Sequence, residues 1–314
     1  MSNYKQIDLN KVKTYSIEKR KSKINISSFA KICKKGVSFK KFFNNIPNIL
    51  VGKDIKELVK LIIRARKKRK PVIFMMGAHV IKCGLSPIII DLMKRNIITT
   101  VLLNGAGSIH DFEIAINGST SEDVEKNLNN GSFGMAEETG RIINNAIKEG
   151  VNEGCGIGES IGRKILDLKA PFLRYSILAE GYRLKIPVLV SIAIGTDIIH
   201  QHPNANGFAL GEGSFIDFKI FANEVSKLGN GGVVLNIGSA VILPEVFLKA
   251  LSIARNLGYK VFNFTTANFD MIQHYRPVVN VLKRPIRMGG RSYAIIGHHE
   301  IMIPLLYSAI IEEI

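Results

Sequence analysis

The sequence has no tryptophan, and its only cysteines are Cys33, Cys83 and Cys155. Three cysteines, widely spaced and without a CxxC pair, argue against a disulfide framework and a structural zinc site, and fit a reducing cytoplasm. There is no run of roughly 18 apolar residues, so no membrane span is expected. Residues 1–30 lack an apolar stretch long enough for a signal peptide. Internal repeats and Pro/Ser-rich linkers are also missing. Acid is scarce at one end: residues 1–70 hold four carboxylates (Asp8, Glu18, Asp54, Glu57) against 21 Lys/Arg. Residues 71–314 hold 22 of each sign, so the whole net charge of +17 belongs to the N-terminal quarter. A protein basic all over because it coats nucleic acid would not be divided this way.

Hydrophobic residues make up 46% of the chain, enough for a large core. Residues 1–36 are polar and Lys-rich and read as a basic N-terminal arm. Val51–Lys70 has a helical apolar stripe, and cations crowd its last turns, where they oppose the partial negative charge of a helix end. Then short apolar, β-branched runs alternate with amphipathic segments. Strands are expected at 72–76, 99–103, 187–194, 232–237, 259–264 and 293–296. Helices are expected at 85–95, near 111–116, and at 135–148, 158–168, 170–184, 215–228, 245–257 and 304–313. This alternation predicts an α/β, Rossmann-like fold with a mostly parallel sheet and helices on both faces. Residues 37–314 read as a single domain.

In such a sheet, ligands bind beyond the carboxyl ends of the strands. Small and polar residues cluster there: Gly77-Ala78-His79, Asn104-Gly-Ala-Gly-Ser108, Gly195-Thr196-Asp197, Gly238-Ser239, and Thr265 to Asp270. Gly and Ala let a backbone approach a phosphate or ribose, and helix starts favour anions. A nucleotide site follows, although the strict GxGxxG spacing is missing. His79 and His110 follow strand ends and suit ligand contact. His200, His202 and His298-His299-Glu300 lack an HEXXH spacing, and no metal is expected. In Gly207–Asp217, Ser214 reads as an N-cap with Asp217 in the first turn. The functional reading sets Glu212 and Asp217 at a mouth that holds a cation.

The chain resembles the deoxyhypusine synthase family, more closely its bacterial deoxyhypusine synthase-like branch, over about residues 37–283. Asn104-Gly-Ala-Gly-Ser-Ile-His-Asp111 resembles the family's Thr-Thr-Ala-Gly-Gly-Val-Glu-Glu segment, and Gly211–Asp217 its Asp-Gly-Ser-Leu-Gly-Asp. Val234–Gly238 resembles its Ile-Leu-Gly-Gly-Gly, and Thr266-Ala267 with Asp270 its Thr-Ala-Gln-Glu-Phe-Asp. The resemblance implies NAD, a homotetramer, and aminobutyl transfer from a polyamine such as spermidine through a lysine imine. The acceptor would be a protein lysine or a free polyamine. NAD contacts are implied at Gly77, Ala78, Ala106, Gly107, Asp111, Gly238, Ser239, Thr266 and Ala267. Substrate contacts are expected at His110, Glu212 and Asp270, and catalytic roles at Asp217 and Lys283. The chain departs from the family where Val241-Ile-Leu-Pro244 replaces a lysine with paired histidines. It also lacks the Trp-Gly-Lys segment, leaving Lys283 as the nearby lysine. Two alternatives stand beside this reading. One is NAD-dependent amine or redox chemistry of another kind. The other, less favoured, is nucleic-acid or ribosome binding through the basic segment, by phosphate neutralisation.

Overall fold

A computed structural model describes residues 3–314. Six strands form one sheet: β1 (Val72–Met76), β2 (Thr100–Asn104), β3 (Val188–Ser191), β4 (Val233–Ile237), β5 (Phe264–Asp270) and β6 (Gly290–Ile296). Their order is β3-β2-β1-β4-β5-β6, and all five pairings are parallel. The fold is therefore α/β and Rossmann-like, with helices on both faces.

Alternation along each strand divides the core in two. Val72, Phe74, Met76, Val101 and Leu103 point to one face, under helices Leu50–Lys67, Ser86–Lys94, Gly105–Asn117 and His299–Ile311. Ile73, Met75, Leu102 and Val234 point to the other, under Gly207–Ser226 and Ile242–Asn256, which contribute Phe221, Val225, Leu243 and Phe247. Both faces are dry, so the strands read as apolar runs. The exposed edge of β3 is covered from the side. Val190 N–H donates to Asp217 Oδ2 (2.9 Å), and Ile192 N–H to Ser214 Oγ (3.3 Å).

Several expected boundaries move. The helix after β2 starts at Gly105, capped by Asn104 Oδ1, which accepts from Gly107 N–H (3.0 Å). The helix expected at 215 starts at Gly207 with Asn206 as its N-cap, so Ser214 is no cap and Asp217 lies mid-helix. Glycine here marks close packing rather than a loop: a Cβ on Gly213 would lie 2.9 Å from Ile157 Cγ1. The strand expected at 259–264 begins at Phe264, which draws the Thr, Ala and Asn residues into the sheet. The last helix begins at His299, so Pro304 lies inside it rather than in its first turn.

Residues 3–27 are exposed throughout and contain short 3-10 turns. The Ser28 carbonyl accepts from Asn48 N–H (2.8 Å), which ties the end of this segment to the body. Among the described residues no helix is long and apolar enough to cross a membrane.

Candidate functional site

The strand order reverses between β1 and β4. The chain leaving β1 turns into His79–Lys82 and Ser86–Lys94 on one face, and the chain leaving β4 turns into Ile242–Asn256 on the other. The two exits diverge and open a crevice, the usual ligand position in an open parallel sheet. Its floor is bare backbone. Gly77 N–H donates to Ile237 O (2.9 Å), and Gly238 N–H to Phe269 O (3.0 Å). A Cβ at Gly77 would lie 2.2 Å from Gly238 O, and one at Gly238, where φ is +65°, 2.6 Å from His299 Nε2. Below the floor, Asn236 Nδ2 donates to Ser239 O (2.9 Å) and to Asn268 Oδ1 (2.7 Å), which ties the Gly238-Ser239 turn to two strands.

Asp270 and His299 flank this floor, and both are buried. Burial holds the His299 pKa down, opposed by the Asp270 charge and reinforced by His79. Its Nδ1 has no hydrogen-bond partner among the described residues, and the His79 ring lies edge-on with centroids 6.1 Å apart. The two glycines let the exits of β1 and β4 and the His299 ring pack closely, and the bare backbone there fits a nucleotide, whose phosphate or ribose can approach it.

A larger cavity, about 900 Å³, adjoins through the helix His79–Lys82, whose last residue lines it. Its other walls come from Gly105–Asn117, the 119–139 segment and residues 196–198. Four carboxylates (Glu113, Glu122, Glu138, Asp197) face one lysine, Lys82. Thr120 donates to Glu113 Oε2. Its oxygen therefore accepts from His110 Nδ1–H (2.6 Å), a tautomer assigned from the network that leaves Nε2 as a lone pair. Burial lowers the His110 pKa, opposed by Glu113 and reinforced by Lys82, and keeps the ring neutral. Asp197 is 7% exposed; burial pushes its pKa up to about 6 against the pull of the Ala106 amide. A neutral imidazole beside carboxylates can take a proton from an ammonium.

The expected site residues separate into groups. Gly77, Ala78, Gly238, Ser239 and Asp270 meet at the crevice. Ala106 and His110 line the acidic cavity. Gly107 has its N–H committed to Asn104, and a Cβ on Gly105 would lie 1.9 Å from Asp197 Oδ2. The anion-favouring start of that helix already faces a carboxylate, which corrects the reading of Ala106 and Gly107 as a phosphate cradle. Asp111 is fully buried and accepts from Ser176 Oγ (2.5 Å) and the amides of Ile177 (2.7 Å) and Leu178 (3.1 Å). It caps the helix Ile177–Leu184 and has no surface from which to touch a cofactor. Asp217 is likewise interior, accepting from Gly158 N–H (3.0 Å) as well as Val190 N–H; it lines a separate cavity of about 430 Å³ with Glu159, Tyr182 and Lys185, not a mouth shared with Glu212. Thr266 and Ala267 lie within β5 and are wholly buried. Glu212 faces Lys219 (3.8 Å) on the outside of its helix.

Lys283 ends a π-helical turn, and Pro285 just beyond it accepts from Arg255 Nη2 (3.0 Å). Arg255 also holds Val261 O, ahead of the start of β5. Lys283 therefore sits near the amino ends of the strands, away from the crevice. Lys82, Glu138, Asp197 and His299 were not assigned from sequence. The adjacency of Asp197 and His299 to strand ends was legible; that of Lys82, a full helical turn past Gly77, was not.

The sequence matches no family model, and no curated protein is significantly similar to it. Solved structures share its fold. A candidate deoxyhypusine synthase from Entamoeba histolytica aligns over 88% of this chain and 93% of its own, at TM-score 0.50 and 10% identity. A conserved candidate LOR/SDH protein from Methanococcus maripaludis S2 aligns over 83% of this chain and 70% of its own, at TM-score 0.50 and 15% identity. AgrE, in a ternary complex with ornithine and NAD+, aligns over 83% of this chain at TM-score 0.54 and 13% identity. The chain spans 33% of AgrE's length. At these identities the likeness is one of fold.

Proposed function

We propose that the protein is an NAD-dependent enzyme acting on an amine-bearing substrate. The observation that carries this is the side-chain-free floor made by Gly77 and Gly238 where the strand order reverses. Gly77 and Gly238, whose N–H groups are spent on the sheet, would let the dinucleotide approach, and Ala78 and Ser239 would hold it through their backbone, with His299 and Asp270 beside it. A bound nicotinamide would supply hydride acceptance. The acidic cavity would receive the amine, and His110 Nε2 would take the proton from its ammonium group. The NAD+ in the AgrE complex and the deoxyhypusine synthase assigned to the Entamoeba fold neighbour support this choice of cofactor and substrate. Aminobutyl transfer from a polyamine is the finer form of the reading, and the lysine available to it at the cavity is Lys82, not Lys283. A homotetramer belongs to the same reading; exposed Val241, Met271, Ile272 and Tyr275 follow β4 and β5 and suit self-association. NAD+ or NADH at saturating concentration should raise the melting temperature by several degrees. No rise with either would refute the reading.

One observation favours a second reading. Arg66, Arg69 and Lys70, with Lys227 paired to Glu224, line a cavity of about 470 Å³ that reaches Pro71 and Thr99, ahead of β1 and β2 and so opposite the crevice. Binding of RNA there would weaken steeply between low and moderate salt; salt-insensitive binding would exclude it.

A further inference from the structure

The two edges of the sheet are finished differently. At β3, a strand of four residues, the side chains of Asp217 and Ser214 take up the N–H groups of Val190 and Ile192. β6 is a strand of seven residues, in register with β5 throughout and without a bulge or a proline. Its residues alternate between the two sides. Gly297 N–H donates to Asp270 O (3.2 Å), so residues 291, 293, 295 and 297 face β5. Ser292, Ala294 and Ile296 turn their N–H and C=O groups outward, and none of these groups has a hydrogen-bond partner among the described residues. Edges of this kind are ordinarily guarded by a charge, a proline, a bulge or a covering segment. The one charged residue of β6, Arg291, is drawn aside to Glu57 (3.5 Å).

We propose that β6 pairs antiparallel with β6 of a second copy of this chain, about a two-fold axis at Ala294, so that the two sheets become one. Gly290 has φ +119° and leaves the extended path, so the regular edge runs over residues 291–297 and is centred on Ala294. In that register Ala294 faces the partner's Ala294, and Ser292 faces the partner's Ile296. Each facing pair exchanges two bonds, and every outward group of Ser292, Ala294 and Ile296 is satisfied. The two Arg291 side chains lie at opposite ends of the seam, about 20 Å apart along the strands, and do not oppose each other. A second copy fits this edge because the register is its own two-fold image. The other edge, at β3, is already covered, so pairing closes at two copies instead of growing into a fibre. This seam is separate from Val241, Met271, Ile272 and Tyr275, and it rests on neither the cofactor nor the substrate reading.

Analytical ultracentrifugation of the full chain at micromolar concentration tests it. The wild type should sediment as a dimer or a multiple of one. Ala294→Pro removes the two central bonds, and proline is tolerated on an edge strand where its nitrogen faces outward. The dissociation constant should rise roughly tenfold or more. Two double variants test the register without touching the backbone, and they stand if the proline variant fails to fold. Ser292→Asp with Ile296→Asp sets like charges opposite each other and should weaken association. Ser292→Lys with Ile296→Asp sets opposite charges there and should retain it. Urea unfolding checks that each variant is folded. A monomeric wild type, unchanged association in a folded Ala294→Pro, or equal loss in the two double variants would overturn the proposal. Loss of association on deleting the chain up to residue 24 would also overturn it, because the arm and not β6 would then hold the copies together. The melting shift with NAD+ is read on the same samples. A dimer without that shift sinks the redox reading alone, and a shift in a monomer sinks this one alone.

Discussion

Asp217 is the most exposing test of how this fold is held together, because its chemistry and its position pull apart. The carboxylate is wholly buried between the β3 edge and the helix Ile157–Asp167. Burial pushes its pKa from 3.8 up to about 7, despite the amides of Gly158 and Val190 that favour the anion. Between those two values the folded chain keeps a proton that the unfolded chain has lost. Its stability contribution is therefore greatest at acid pH and disappears as pH rises through 7. The full displacement corresponds to roughly 4 kcal/mol, of which roughly 3 kcal/mol falls between pH 5 and 8. Asp217→Asn removes the titration and keeps the geometry: its carbonyl oxygen can accept from both amides, and its NH2 replaces Oδ1, which has no partner. Urea unfolding of both proteins at pH 5, 6, 7 and 8 isolates the effect, since Asp111 and Asp197, also raised to about 6, are common to the two. The variant should gain on the wild type by roughly 3 kcal/mol across that range. A gap that stays constant with pH would refute the account of Asp217 as a neutral interior acid.

Gly77→Ala forces a Cβ against Gly238 O and should cost about 1–3 kcal/mol while abolishing the melting shift with NAD+; an unperturbed shift would remove the crevice from consideration. Asp111→Ala leaves the Ile177 and Leu178 amides unpaired in the interior and should lower unfolding free energy by about 2–4 kcal/mol without changing NAD+ affinity. Deleting the chain up to residue 24, of which residues 3–24 are exposed, should change stability by less than about 0.5 kcal/mol in chemical denaturation.

The glycines divide what was legible from what was not. The turns at Gly77 and Gly238 were readable, because an apolar run followed by small residues signals a strand ending at a rim. The glycines of Gly105–Gly107 and Gly207–Gly213 read as loops, yet they lie in the first turns of helices, where Gly105 makes room for Asp197 and Gly213 for Ile157. Those neighbours come from more than 50 residues away in one direction or the other, and no local pattern reports them. Asp111 and Asp217 show the same limit. A carboxylate near a strand end reads equally well as a ligand contact or as an internal cap. The choice depends on whether the amides of another segment, Ile177 or Val190, reach it first.

The sequence by itself determined the parallel α/β architecture, through apolar periodicity, and the split between a basic N-terminal quarter and a neutral body, through a count of charges, because both are local properties of the chain. Tertiary structure alone decided which polar groups remain free. Hydrogen bonds inside the fold consumed Asp111, Gly107 and one oxygen of Asp217, and distance removed Lys283. What is left over is His299 at the crevice, and Lys82, Glu138 and Asp197 around the cavity. A side chain can bind a ligand only with the bonding capacity the fold has not already used.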